Sequence, residues 1–251
     1  SISEYSEFFS RRLHSTFLNS TLPSRAGMTT FGDIESFTGA GTEVDTSPVG
    51  GSEQLASLIH ILNTLGMTKQ ASWAKFYFDE HFTTDNSIFS TTQNLLHLSE
   101  SLITPVDYRT DIATSYFSSG MGIFTDRTHW QADASFLAYR GGQMHLDHIH
   151  ADNGHFQLYR KGRWLSHESI SYGGTSAEAL GHNVMLLEGS GPSHNQFSLI
   201  GSATTFAVSS GDTYSFVASD LTGVYQEQLA TTVKRYGSIQ RALLWLKDSG
   251  T

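Results

Sequence analysis

The sequence predicts an α+β protein in which an N-terminal α-helical segment precedes an antiparallel β-sandwich. In roughly the first hundred residues, apolar side chains recur every three or four positions, which is the period of an amphipathic helix. From about residue 112 the pattern changes to short β-branched and aromatic runs separated by glycine-containing turns. We therefore place a domain boundary after residue 110, with helices over 1–110 and the sandwich over 111–251.

Four apolar stripes predict the helices of the N-terminal segment. Gly66 follows the second stripe at a position where helices commonly end. Because a few helices cannot enclose a core alone, we expect them to pack on one another, on the sheet, or on neighbours outside this sequence. The stripes are Tyr5, Phe8, Phe9, Leu13 and Phe17; Leu55, Leu58, Ile59, Leu62 and Leu65; Trp73, Phe76 and Tyr77; and Leu95, Leu96, Leu98 and Leu102.

Short alternating or apolar runs predict the strands of the sandwich. Lys161 and Gly162 separate two of these runs and predict a tight hairpin turn. The last run leads into Asp248-Ser249-Gly250, which reads as a turn without a return strand, so we expect a sandwich truncated at its C-terminus. The runs cover residues 135–140, 156–159, 163–165, 184–187, 205–208, 214–217 and 242–246.

Composition excludes several classes of partner and site. The net charge of −9 argues against a nucleic-acid partner, which requires a basic surface. No run approaches the roughly 20 apolar residues of a membrane span, so we expect no membrane partner. The N-terminus lacks the apolar centre of a signal peptide. Because the chain has no cysteine, any metal must be bound by histidine and carboxylate side chains.

The histidines point to a metal site in the sandwich, since six of the twelve lie between residues 145 and 182. In an extended strand, residues i and i+2 project from one face about 6.6 Å apart, so His148 and His150 can reach one cleft. One of them can then bind metal while the other faces substrate. Glu168 follows the next predicted hairpin and can return beside His150, while His182 opens another predicted strand. Two histidines and one carboxylate, with a fourth position open, form a common zinc site.

Other polar residues of this region receive structural interpretations. We interpret Asp152 as a former of the Asn153-Gly154 turn rather than as a metal ligand. His145, His155 and His167 are interpreted as structural or solvated residues.

The run HIHADNGHFQLYRKGRWLSHESISYGG, followed by GHNVMLLEG, resembles the metal-site region of heparinase II/III-type polysaccharide lyases. The resemblance extends over about residues 112–247. It implies the end of an α/α toroid joined to a β-sandwich. It also implies a secreted or periplasmic lyase that cleaves uronate-containing acidic polysaccharides by β-elimination.

The resemblance also implies roles for individual residues. His148 matches the family's catalytic histidine, and Tyr172 falls near a tyrosine on the sandwich side of the cleft. Zinc, with a mainly structural role, is implied at His150, Glu168 and His182, where Glu168 stands in place of the family's usual aspartate.

Two other functions remain open from the sequence. Cupins also bind a catalytic metal through a His-x-His strand, although Gly154 and His155 stand where a cupin glutamate is expected. A non-catalytic carbohydrate-binding sandwich with a structural metal is the second alternative, in which Trp130 or Trp164 would stack on sugars.

Overall fold

The computed structural model describes residues 2–23, 29, 31, 51–82, 102–142, 150–167, 178–187, 196, 201–225 and 237–247. These residues fall into two compact units. The helical unit contains residues 2–21, 51–82 and 102–113. The sandwich unit contains the remaining described residues, of which most lie between 114 and 247.

The described part of the helical unit contains three α-helices: α1 (Ile2–Leu13), α2 (Gly51–Thr64) and α3 (Thr68–His81). A π-helical turn, His14–Leu18, continues α1. None of the described helices is long and apolar enough to cross a membrane. The buried side chains of this unit include Leu13, Phe17, Leu18, Leu55, Leu58, Ile59, Leu62, Trp73 and Tyr77.

The predicted stripes become the buried faces of these helices, with one exception. Helix α2 ends as predicted, because Gly66 adopts a φ of +74° and Met67 N–H donates to Leu62 O at 2.9 Å. In α1, however, the first rings of the stripe, Tyr5 and Phe8, are 63% and 57% exposed. Amphipathic spacing predicts the helix, but it does not determine whether another part of the chain packs against the apolar face. The fourth stripe lies outside the described residues except for Leu102, which is exposed.

Among the described residues, the sandwich unit contains two antiparallel sheets. The first has five strands in the order β1-β2-β3-β4-β5, so consecutive strands are neighbours, and the second has the order β6-β7-β8. The strands are β1 (Tyr116–Ser118), β2 (Ile123–Arg127), β3 (Ser135–Arg140), β4 (Phe156–Arg160), β5 (Arg163–Ser166), β6 (Thr204–Ser210), β7 (Tyr214–Asp220) and β8 (Gln240–Leu246).

The two sheets pack face to face through alternate side chains of their strands. Phe124, Leu137 and Tyr139 of the first sheet form one apolar cluster with Val217 of the second, and Leu243 packs against it. Such alternation places every second residue of a strand in the core, as expected for a sandwich. The α+β architecture with an antiparallel sandwich is therefore confirmed.

A buried ion pair joins the two sheets at one end of the sandwich. Asp126 of β2 and Lys247, which follows β8, lie 2.8 Å apart with side chains 0% and 3% exposed. The Asp126 carboxylate also accepts hydrogen bonds from the Ser210 and Ser215 hydroxyls and from Arg127 N–H. We call this contact the inter-sheet ion pair.

One predicted strand is wrong. Residues 184–187 are not in a strand, and His182 follows a 3-10 turn, Ala179–Gly181, instead of opening a strand. The backbone carbonyl of Met185 accepts a hydrogen bond from the Tyr225 hydroxyl. Apolar side chains of this segment pack against a buried cluster around Leu221. An apolar run predicts burial, and here the burial occurs without a strand.

Candidate functional site

Two buried histidine rings, His150 and His182, lie side by side in the sandwich unit. Their ring centroids are 5.3 Å apart, and the ring planes are inclined by 39°. His150 is 0% exposed and His182 is 9% exposed. His150 begins the described segment that returns to β4, whereas His182 follows the 3-10 turn Ala179–Gly181. The fold thus brings together two histidines that are 32 residues apart in the sequence.

A third histidine, His155, packs against this pair. Its ring lies edge-on to His182 with a centroid separation of 5.4 Å. Burial lowers the pKa of His155 to about 3, and positive charge at His182 and Arg241 acts in the same direction. His155 Nδ1 accepts the Asn183 N–H at 3.2 Å, so in the neutral ring the proton resides on Nε2. His155 is therefore a buried ring that packs against the pair.

A tight turn holds His150 and His155 at its two ends. Asp152 O accepts the His155 N–H at 2.9 Å, and Gly154 between them has a φ of +88°. That conformation favours glycine, and a Cβ added there would also approach the Leu221 side chain to 3.0 Å. Asp152 thus takes part in the turn, as its sequence context indicates.

The Asp152 side chain forms a second buried ion pair, which we call the turn ion pair. Arg140, the last residue of β3, donates through Nη1 to Asp152 Oδ2 at 2.8 Å, and both side chains are buried. Among the described residues, none donates a hydrogen bond to Asp152 Oδ1. Burial raises the pKa of the Asp152 carboxyl, while Arg140 and His150 oppose that rise.

The next residue of the turn, Asn153, is hydrogen-bonded to buried groups through its backbone and through its side-chain oxygen. Its N–H donates to Gln196 Oε1 at 2.8 Å, and its Oδ1 accepts the Gly142 N–H at 2.8 Å. Gln196 also donates to the Tyr225 hydroxyl at 3.0 Å. These bonds fix the turn against the end of β3 and against the segment around residue 225.

Asn183, next to His182, attaches the second histidine segment to the first sheet. Its side-chain oxygen accepts the Phe156 N–H at 3.0 Å, and its side-chain nitrogen donates to Phe156 O at 2.8 Å. One amide side chain therefore satisfies both backbone groups of Phe156, as a neighbouring strand would. Ser166 and Arg241 also hydrogen-bond to Asn183, so β5 and β8 hold it as well.

The separation of the His150 and His182 rings fits a shared zinc ion. A zinc-bound imidazole has its nitrogen about 2.0–2.1 Å from the ion and its centroid about 3.2 Å away, so tetrahedral geometry separates two such centroids by about 5.2 Å. The observed separation is 5.3 Å for His150 and His182, and the 5.4 Å between His155 and His182 is compatible with the same geometry. No group of three His, Asp or Glu side chains that could hold an ion occurs within the described parts of the chain. A third protein ligand would come from elsewhere in the sequence.

The structure reaches only part of the predicted site. It brings His150 and His182 together, whereas His148, Glu168 and Tyr172 lie outside the described residues. Sequence reasoning missed the turn ion pair, the burial of His155 and the strand-like role of Asn183. The His-Asn dipeptide at 182–183 was the available signal for the last of these.

No family model and no curated protein matches the sequence. Solved structures do match. The heparan sulfate lyase HepC from Pedobacter heparinus superimposes with a TM-score of 0.53 at 14% identity, over 91% of this chain and 29% of that one. A heparinase III crystal structure gives a TM-score of 0.53 at 11% identity, over 93% of this chain and 32% of that one. This chain thus has a heparinase-like fold and spans less than a third of the length of these proteins.

Proposed function

We propose that this chain carries the sandwich side of the active site of a polysaccharide lyase that cleaves uronate-containing acidic polysaccharides by β-elimination. The observation that carries the proposal is the buried His150–His182 pair within a heparinase-like fold. The structural neighbours are a heparan sulfate lyase and a heparinase, which supports an acidic polysaccharide as substrate.

We assign a structural zinc to His150, Glu168 and His182 as part of this proposal. The spacing of the two rings supports it, as does their burial, because neutral imidazole is a preferred zinc ligand. When bound, the ion supplies a cross-link and a positive charge between the two histidine segments. Asn183 and the turn ion pair support the same two segments by hydrogen bonds, as residues around metal ligands commonly do.

The chemistry requires a base and an acid beside the uronate ring. The base removes the proton from C5, the C4–C5 double bond forms, and the C4–oxygen bond breaks as an acid protonates the departing glycosidic oxygen. We assign these proton transfers to His148 and Tyr172, each worth roughly 10²–10⁴ in rate. His148 is two residues from His150, so whatever anchors His150 also limits where His148 can lie.

The C5 proton is acidic enough only when donors neutralise the neighbouring carboxylate. Arg140 is unsuited to that task, because its guanidinium is buried and bonded to Asp152. We therefore assign the neutralisation of the uronate carboxylate to residues other than Arg140. Arg140 itself supports the turn through its ion pair with Asp152.

No described feature favours the two alternatives. Trp164 packs edge-on against Tyr159 with centroids 5.2 Å apart, and Trp130 lies under the Arg127 guanidinium at 4.3 Å. Both indoles are half-buried in protein contacts rather than presented as a flat platform. A cupin site would place its first metal histidines on a barrel strand, whereas His150 lies outside the strands of the two sheets.

The test begins with metal content, because this readout does not require catalysis. Mass spectrometry of the purified protein should find about one zinc per chain, lost in His150→Ala and His182→Ala. His129→Ala is the matched control, since this exposed histidine lies on the β2–β3 turn, and it should keep the metal. Wild-type protein without metal would refute the zinc assignment.

Lyase activity is then measured by ultraviolet absorbance of unsaturated uronate products from heparan sulfate and alginate. Product formation that is lost in His148→Ala supports the proposed reaction. Product formation that is unchanged in both His148→Ala and Tyr172→Phe would contradict the assigned roles.

A further inference from the structure

The hairpin turn between β4 and β5 carries a dense group of positive charge. Arg160, Lys161 and Arg163 lie within four consecutive residues, and all three are exposed. They are three of only 15 Lys and Arg residues in a chain of net charge −9. Such a chain repels a polyanion overall, so any anionic polymer must be attracted by a local basic surface. We call these three residues the cationic turn.

The backbone of the cationic turn is unusual for the residue it contains. Lys161 has a φ of 50° and Gly162 a φ of 80°, the two positive values of a type I′ hairpin turn. The first position of that turn favours Asn, Asp or Gly, which tolerate the left-handed region. Lys161 is the only non-glycine residue with positive φ in the described part of the chain. A lysine thus occupies a position where an asparagine would fit with less strain.

The charges of the turn are available to a ligand. Within the described part of the chain, Lys161 and Arg163 form no ion pair or side-chain hydrogen bond. The carboxylate of the neighbouring β2–β3 turn, Asp133, lies 4.0 Å from His129 Nε2. Among the described residues, the cationic turn thus has two exposed positive charges without an ion-pair partner, Lys161 and Arg163.

We propose that the cationic turn is a second binding site for the anionic polysaccharide, separate from the histidine site. The identity of the polymer rests on the proposed function. Strand β4 begins directly after His155 and runs five residues to Arg160, which corresponds to about 17 Å at 3.4 Å per residue. A polymer bound at the histidine site can therefore contact the turn only through sugars several units from the bond that is cleaved.

A purely protective role for the charges makes a different prediction. Strand β5 lies at the edge of its sheet, and charged residues there discourage pairing with other chains. Protection requires charge along the edge strand, but it gives no reason for a lysine at the strained turn position. Replacement of Lys161 by asparagine separates the two explanations, because it relieves the strain and removes only one charge.

The experiment measures the binding of heparan sulfate by isothermal titration calorimetry at several NaCl concentrations. We expect Lys161→Asn and Arg163→Gln each to weaken binding about fivefold, as removal of one basic residue from a polyanion contact does. The salt dependence of Kd should become shallower, and the Tm of Lys161→Asn should be equal to or above that of the wild type. Arg12→Gln, which removes an exposed charge from α1, is the matched control and should bind as the wild type does.

The outcomes separate this proposal from the proposed function. Turn-dependent binding in a protein whose product formation is unchanged by His148→Ala supports the binding site and refutes the catalytic role proposed for His148. Lyase activity together with wild-type binding by the Lys161→Asn/Arg163→Gln double variant overturns the binding site and leaves the lyase intact. Equal weakening by Arg12→Gln, or equally tight turn-dependent binding of duplex DNA, also overturns it, since the effect would then reflect charge alone.

Discussion

Two buried ion pairs occupy the sandwich unit, and they differ in how fully their carboxylates are hydrogen-bonded. In the inter-sheet ion pair, both Asp126 oxygens accept hydrogen bonds, and the donors include a backbone N–H, two hydroxyls and Lys247. In the turn ion pair, Asp152 Oδ2 accepts from Arg140, but no described residue donates to Oδ1. Both carboxylates are 0% exposed, so burial does not explain the difference.

The difference separates a contact that serves stability from one that supports a site. A fully bonded buried carboxylate recovers much of the cost of leaving water, whereas an oxygen without a donor does not. Such an exception calls for an explanation, and here the exception lies beside His150. The turn ion pair therefore supports the segment that carries His150, whereas the inter-sheet ion pair joins the two sheets.

Removal of the inter-sheet carboxylate should have the largest effect. Asp126→Ala leaves Lys247 buried without its counter-charge, so the free energy of unfolding should fall by about 3–5 kcal/mol. Urea denaturation measures this change. Zinc content per folded chain should stay at the wild-type value, and a loss of zinc would show that the two ion pairs are not independent.

Metal removal should have the next largest effect. A ligand present at about 100 times its Kd stabilises the folded state by about 2.7 kcal/mol, so a chelator should lower the free energy of unfolding by about that amount. The chelator should lower the free energy of unfolding of Asp126→Ala by the same amount, because the inter-sheet ion pair does not contact the histidines. Identical denaturation curves with and without chelator would contradict the zinc assignment.

A neutral amide in the turn ion pair should produce a smaller loss of stability but a specific loss of metal affinity. Asp152→Asn keeps the shape of the side chain and weakens a charged hydrogen bond, which costs about 1.5–3 kcal/mol. Zinc affinity, measured by competition with a chromogenic chelator, should fall about 10–100-fold. Asp126→Asn is the matched control and should leave that affinity unchanged. An equal effect of both variants on affinity would remove the distinction between the two ion pairs.

Disruption of a solvent-exposed ion pair should have the smallest effect on the free energy of unfolding. Glu7 and Arg11 of α1 pair one turn apart with side chains about 60% exposed. Glu7→Gln should change the free energy of unfolding by no more than about 0.5 kcal/mol, because solvent screens the pair. A loss comparable to that of Asp126→Ala would mean that burial does not set the order of these effects.

The sequence predicted those parts of the fold that local patterns determine. The β4–β5 hairpin followed from alternating residues around Lys161-Gly162, and the end of α2 followed from Gly66. The strand over residues 184–187 was wrong because an apolar run indicates burial without indicating its backbone partners. Those partners include Tyr225, 40 residues away.

The site was predicted in part for the same reason. His-x-His and the later His-Asn are local signals, and they led to His150 and His182. The turn ion pair could not be foreseen, because an arginine at the end of a strand usually faces water. Arg140 is instead buried by the return of the chain 12 residues later. The sequence favours a structural or solvated His155, and only the fold shows that the ring is buried beside His182.

The way Asn183 binds Phe156 also limits how this loop can evolve. A residue's N–H and C=O point to one edge of its strand, and those of the next residue point to the opposite edge. Phe156 offers its groups to Asn183, whereas Gln157, paired with Ala138, offers its own toward β3. The docking point can therefore move along β4 only in steps of two residues, about 6.8 Å each. The loop that carries His182 can change in length. An insertion or deletion of one residue in β4, however, would turn the N–H and C=O of the docking residue toward β3 and remove both hydrogen bonds to Asn183.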